Sequence, residues 1–128
     1  MNENAKKWVA DLRSGKYKQG KGSLNCDGKL CCLGVACEVA IQNGVKVQVI
    51  KTKIDDASYD GGFGFLPESV RDWLGLRTVD GEYKTGDCHY TSLAKLNDKG
   101  KTFAEIADII EGEPEGLFGD ELKSGEKK

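Results

Sequence analysis

The residues of this chain best suited to chemistry are five cysteines and a single histidine, and four of the cysteines, Cys26, Cys31, Cys32 and Cys37, lie close together ahead of Cys88 and His89. Cys31 and Cys32 open the apolar run CCLGVACEVAIQNG at residues 31–44. A thiol at a helix N-terminus meets the positive end of the helix dipole, which lowers its pKa and favours the nucleophilic thiolate. His89 is the only imidazole that could act as its base, and Gln19 could donate to an oxyanion. The competing reading is heavier: thiols inside so apolar a run behave as small hydrophobes, and no signature of a thiol enzyme surrounds them. Zinc is the other use for such ligands. Structural zinc sites pair their ligands at short separations such as CxxC, which this chain lacks, and Cys32 and Cys37 would point about 140° apart on a helix of 3.6 residues per turn. No metal or cofactor is expected.

A second group of residues points to binding. Arg13, Lys16, Lys18 and Lys21 surround Tyr17 and two glycines, a combination able to hold a nucleotide phosphate or an RNA backbone. No GxxxxGK[ST] pattern accompanies them, and a solvated basic turn is the plainer reading. Phe63 sits in the Gly-rich stretch DGGFGF at residues 60–65, where an exposed ring could stack on a base or enter a partner. The last two helical segments resemble the start of a helix-turn-helix. The would-be recognition helix carries Glu105, Asp108 and Glu111, so repulsion from phosphates argues against DNA binding.

These residues need elements to position them. Ala5, Trp8, Val9 and Leu12 recur at helical spacing and predict a helix over residues 3–14, stopped by Ser14-Gly15. Asp27-Gly28 suggests a short hairpin between residues 23–26 and 29–32. The apolar run that follows predicts a helix buried on most sides, with Gly34 present to admit a neighbouring element and Asn43-Gly44 as its stop. Val45, Val47 and Val49 alternate with polar residues as in a half-buried strand, with a break at Ile50. Pro67 is expected to open a short helix carrying Val70, Trp73 and Leu74, stapled by Phe65 against Val70 and ended by Gly75. A second hairpin is expected around Asp80-Gly81. Helices over residues 91–97 and 103–111 follow, the latter opened by the capping box Thr102-Phe103-Ala104-Glu105.

Length and composition fit one globular domain over residues 1–112, with an acidic and mostly flexible tail over residues 113–128. The fold class expected is α+β: a central buried helix, three or four further amphipathic helices and a small antiparallel sheet. Seventeen glycines against two prolines imply many Gly-built loops. Residues 1–53 hold ten Lys or Arg against four Asp or Glu, and residues 54–128 hold nine against seventeen, so a net charge of −2 conceals a basic first part and an acidic second part. The start, MNENAKKWVADLRSGK, holds no apolar block of signal length, no later stretch is long enough for a membrane span, and the odd cysteine count with an adjacent pair favours reduced thiols. A cytoplasmic protein that does not engage membranes is expected.

The order DLRSGKYKQGKGSL, CCLGVACEVA, FLPESVRDWLGL, LAKLNDKGKTFAEIADIIE, over roughly residues 8–111, resembles a family of small proteins encoded by bacteriophages and some bacterial genomes. The resemblance implies an accessory role in a phage or mobile element, acting in the host cytoplasm if phage-encoded, and supplies no catalytic residues. The reading is therefore a non-enzymatic protein that binds and modulates a host macromolecule, most readily a host protein. Arg13, Lys16, Tyr17, Lys18, Lys21 and Phe63 are the candidate contact residues. A binder of a nucleotide or RNA phosphate through the basic loop, and a thiol enzyme built on Cys31 or Cys32 with His89, are the alternatives.

Overall fold

A computed structural model describes residues 1–51 and 56–119 of the chain. Helix α1 (Glu3–Arg13) begins where the Asn2 side chain accepts from the Ala5 N–H at 2.8 Å, and it buries the expected stripe of Ala5, Trp8, Val9 and Leu12. Residues 14–24 lead to the hairpin β1 (Asn25–Cys26) and β2 (Lys29–Leu30), whose reversal uses positive φ at Asp27 and Gly28.

Helix α2 (Cys32–Gln42) is the spine of the molecule, with eight of its residues buried and α1, α3 (Glu68–Leu74) and α4 (Leu93–Asp98) packed around it. The Trp8 indole N–H donates to the Cys32 carbonyl at 3.0 Å and ties α1 to its first turn. Gly34 is where another segment crosses: a Cβ there would stand 1.9 Å from the Leu24 carbonyl oxygen.

Strands β3 (Val49–Lys51) and β4 (Ala57–Tyr59) pair antiparallel, as do β5 (Glu82–Gly86) and β6 (His89–Ser92). Helix α4 is capped by the Ser92 hydroxyl, and α5 (Phe103–Glu111) opens on a complete capping box between Thr102 and Glu105. Among the described residues, five helices and three two-stranded antiparallel sheets make a single-domain α+β fold. No helix among them is long and apolar enough to cross a membrane.

Four local expectations are corrected. The strand starts at Val49 rather than Val45; Val45 and Val47 pack against the core without ladder partners. Asp80 and Gly81 do not form a hairpin turn. Their carbonyls accept from Ala94 and Leu93, and Gly81, at φ 72°, lies where a Cβ would be 2.9 Å from the Leu93 side chain. The hairpin reverses instead between Gly86 and His89. Phe65 does not staple α3: it is exposed, and Leu66 takes the buried place at that entry. Finally, residues 113–119, the start of the expected tail, are docked. Leu117 is fully buried, its carbonyl accepts from the Arg77 N–H at 2.9 Å, Glu115 O accepts from Lys84 N at 2.8 Å, and Gly119 N donates to Gly75 O at 2.8 Å. Backbone groups left open on residues 75–84 supply a partner that the weakly apolar sequence does not announce. The rest of the expected tail, residues 120–128, lies outside the described residues.

Candidate functional site

Three of the five thiols, Cys31, Cys32 and Cys37, lie in the core. Cys31 is the N-cap of α2, and the Leu33 and Gly34 N–H groups face its sulfur as the dipole argument requires, yet burial outweighs them and raises its pKa. Burial pushes Cys32 and Cys37 up as well, and the Cys32 thiol donates weakly to the Leu93 carbonyl at 3.6 Å. His89 is exposed at the start of β6 and forms no hydrogen bond with a cysteine among the described residues. Exposed Cys26 has its pKa raised by the neighbouring Asp56. The thiol-and-imidazole arrangement that the sequence offered as an alternative is not assembled among the described residues: Cys31, Cys32 and Cys37 favour the protonated form, and desolvation is the cause. Among the described residues, no three His, Cys, Asp or Glu side chains are grouped to hold a metal.

Gln19 is not free for an oxyanion. Its Nε2 donates to Asn97 Oδ1 at 2.8 Å and to Lys101 O at 2.7 Å, while its Oε1 accepts from the Phe103 N–H at 3.1 Å. Asn97, fully buried, also accepts from the Cys32 N–H at 3.1 Å and donates to the Gly20 carbonyl at 2.7 Å. This amide pair fastens the segment after α1 to α2 and to the α4–α5 turn.

That segment, residues 18–24, is therefore an ordered strap rather than a flexible loop. Lys18 O accepts from Leu30 N at 2.8 Å and Gly20 N donates to Leu30 O at 2.7 Å, which adds the strap beside β2. Gly22 N donates to Asp98 Oδ1 at 2.8 Å, and Leu24 N donates to Phe63 O at 2.6 Å. With the Gly20 and Gly22 amides spent inside the molecule, the backbone offers no phosphate nest at those positions.

The strap sorts the candidate contact residues into two groups. Arg13 leaves its end of α1 for α5, where its guanidinium meets Asp108 and, at 2.8 Å, Glu111. Those two carboxylates raise the Arg13 pKa, and Arg13 holds the Glu111 carboxyl below its usual value. Lys16 pairs with Asp11 at 3.3 Å and lies 5.9 Å from the Tyr17 ring centre. The Tyr17 hydroxyl accepts from Gln42 at 3.1 Å, and burial raises its pKa. These three residues serve α1, α2 and α5.

Lys18, Lys21 and Phe63 form the second group. Both lysines are exposed and belong to none of the ion pairs among the described residues. Phe63 is 46% exposed, joined through its carbonyl to Leu24, and Phe65 beyond it is 59% exposed. The fold adds three cations that the sequence reading left out. Lys29 runs beside Gly20, close enough that a Cβ on Gly20 would stand 2.8 Å from the Lys29 Cβ. Lys99 and Lys101 flank Gly100 in the α4–α5 turn, and the Lys21 ammonium comes within 3.9 Å of where a Gly100 Cβ would sit. All three are exposed and outside those ion pairs. The LNDKGK stretch is readable as a basic turn, but what brings it to the strap is the set of Gln19, Asn97 and Asp98 side-chain hydrogen bonds.

Residues 1–114 match a family model described as "Domain of unknown function (DUF8296)". No curated protein and no solved structure matches the chain.

Proposed function

Because the chain belongs to this family, whose description carries no activity, we propose its function from its own surface: a small non-enzymatic binding module that holds an anionic macromolecule on the strap. Lys18, Lys21, Lys29, Lys99 and Lys101 are the cationic contacts and Phe63 the apolar one. The observation that carries this reading is that an ordered, side-chain-locked segment gathers five lysines outside the ion pairs while the cations at its α1 end are spent on internal ones. A preorganised charged surface loses little entropy on binding and steers partners of opposite sign. Burial of the thiols, and their raised pKa values, weigh against the enzyme alternative. The resemblance to phage-encoded proteins supports an accessory role toward a host component.

The test is affinity capture from bacterial lysate with the intact protein, a Lys18→Glu/Lys21→Glu variant and a Lys16→Glu variant. Partners retained by the intact protein and by Lys16→Glu, and lost with the double variant, support the assignment. Retention by the double variant places the contact surface elsewhere.

A further inference from the structure

Resting on that reading of the strap, we infer that its anionic partner is single-stranded nucleic acid, with phosphates on the lysines and bases on Phe63 and Phe65. Surfaces that hold single strands without reading sequence combine a positive track with aromatic faces for successive bases. Here the positive track follows the strap, and the rings stand in the 61–65 stretch that is bonded to the strap's end. Lys18 and Lys21 lie on the strap, Lys29, Lys99 and Lys101 beside it, and Leu24 at its end is bonded to the carbonyl of the exposed Phe63. Residues 18–24, if fully extended, span at most roughly 25 Å, a length that suits the short end of single-strand site sizes, about four nucleotides.

Phe63 and Phe65 are set among Gly61, Gly62 and Gly64, none of which has a side chain to cover the rings. The one carboxylate of the α4–α5 turn, Asp98, accepts from the Gly22 amide. An acidic protein surface would have to bring apolar side chains to the rings between its carboxylates, whereas a single strand carries a base beside every phosphate. A duplex would need a basic element for its groove, and α5, the helix beside the lysines, presents Glu105, Asp108 and Glu111. The exposed rings therefore favour unpaired bases.

The experiment is fluorescence anisotropy of the full chain with a labelled single-stranded RNA of about 12 nucleotides. A blunt RNA duplex and a polyglutamate peptide serve as comparison probes, and circular dichroism confirms that each variant is folded. Expected results are preference for the single strand and loss of binding in Lys18→Glu/Lys21→Glu. Phe63→Ala or Phe65→Ala should each weaken binding roughly 5- to 150-fold, the range of base stacking. Lys18→Ala/Lys21→Ala should lower the slope of log affinity against log salt by about 1.4, since each single-strand phosphate contact contributes about 0.7. Equal affinity for duplex, or phenylalanine variants that bind like the parent, would overturn the inference. Binding of polyglutamate but not RNA, lost in the double glutamate variant, would overturn the nucleic-acid partner and leave the strap surface standing. If the intact chain holds none of the three probes, or the double variant holds them equally well, the inference and the strap reading both fail.

Discussion

Residues 13–17 and residues 18–21 have nearly the same composition, yet the first group is wired inward and the second faces out. Arg13 meets two carboxylates on α5, Lys16 meets Asp11, and Tyr17 is held by Gln42. Lys18 and Lys21 sit on backbone that is just as well fixed, by Leu30, Asn97 and Asp98, but their ammonium groups stay out of the ion pairs. A cation run is informative about binding only after its partners are known, and Asp108 lies 95 residues from Arg13. Order in the backbone and freedom in the side chains are separate properties. The strap combines both.

The comparison can be broken most severely at Gly34, where Leu24 crosses α2. Gly34→Ala would drive a Cβ into the Leu24 carbonyl and should cost about 3 kcal/mol or more, seen as a thermal midpoint lowered by roughly 10 °C. It should also open Cys31 and Cys32 to a thiol reagent that in the native protein reaches only Cys26 and Cys88. Rapid native-state labelling of Cys31 or Cys32 would contradict their burial. Asn97→Leu comes next. It leaves the Gly20 carbonyl, the Cys32 N–H and part of the Gln19 amide unpaired, at about 2–4 kcal/mol. Hydrogen exchange should then quicken at Gly20 and Gly22 but hardly at Ser14, because the α1 end is fastened by other contacts. Equal quickening at both ends would mean that the two regions are one unit.

The smallest effect sharpens the contrast from the other side. Arg13 lowers the Glu111 pKa, so the stabilisation this pair gives is present above the ordinary glutamate pKa. It is lost as pH falls below about 4 and the carboxyl protonates. Arg13→Ala should lower the midpoint slightly at neutral pH, converge with the parent in acid, and leave binding unchanged. Glu105 is lowered in the same direction by the Thr102 N–H, independently of Arg13, so the variant should keep that part of its acid dependence. A constant difference between the two proteins from pH 7 to acid would contradict the assignment to the ion pair.

Elements set by local chemistry were legible in the sequence: the apolar run of α2, the stripe of α1, the Asp27-Gly28 reversal and the Thr102–Glu105 capping box all rest on residues a few positions apart. What was not legible depended on distant partners. Asp80-Gly81 looks like a hairpin turn until Leu93 packs against it, and the chain at 113–119 looks mobile until Leu117 is buried and the backbone of residues 75–84 accepts it. Of the candidate contact residues, Lys18, Lys21 and Phe63 are brought to one segment while Arg13, Lys16 and Tyr17 are committed elsewhere. Lys29, Lys99 and Lys101 entered only through the strap's hydrogen bonds, for which Gln19 and Asn97 give no sequence pattern.

The most direct test of the strap is an amide NMR titration of the intact protein with the single-stranded RNA, and with polyglutamate if RNA is not held. Shift changes concentrated at residues 18–24, 63–65 and 99–101, with residues 13–17 unmoved, are the expected result. Changes centred on residues 13–17, or on the docked segment 113–119, would contradict it.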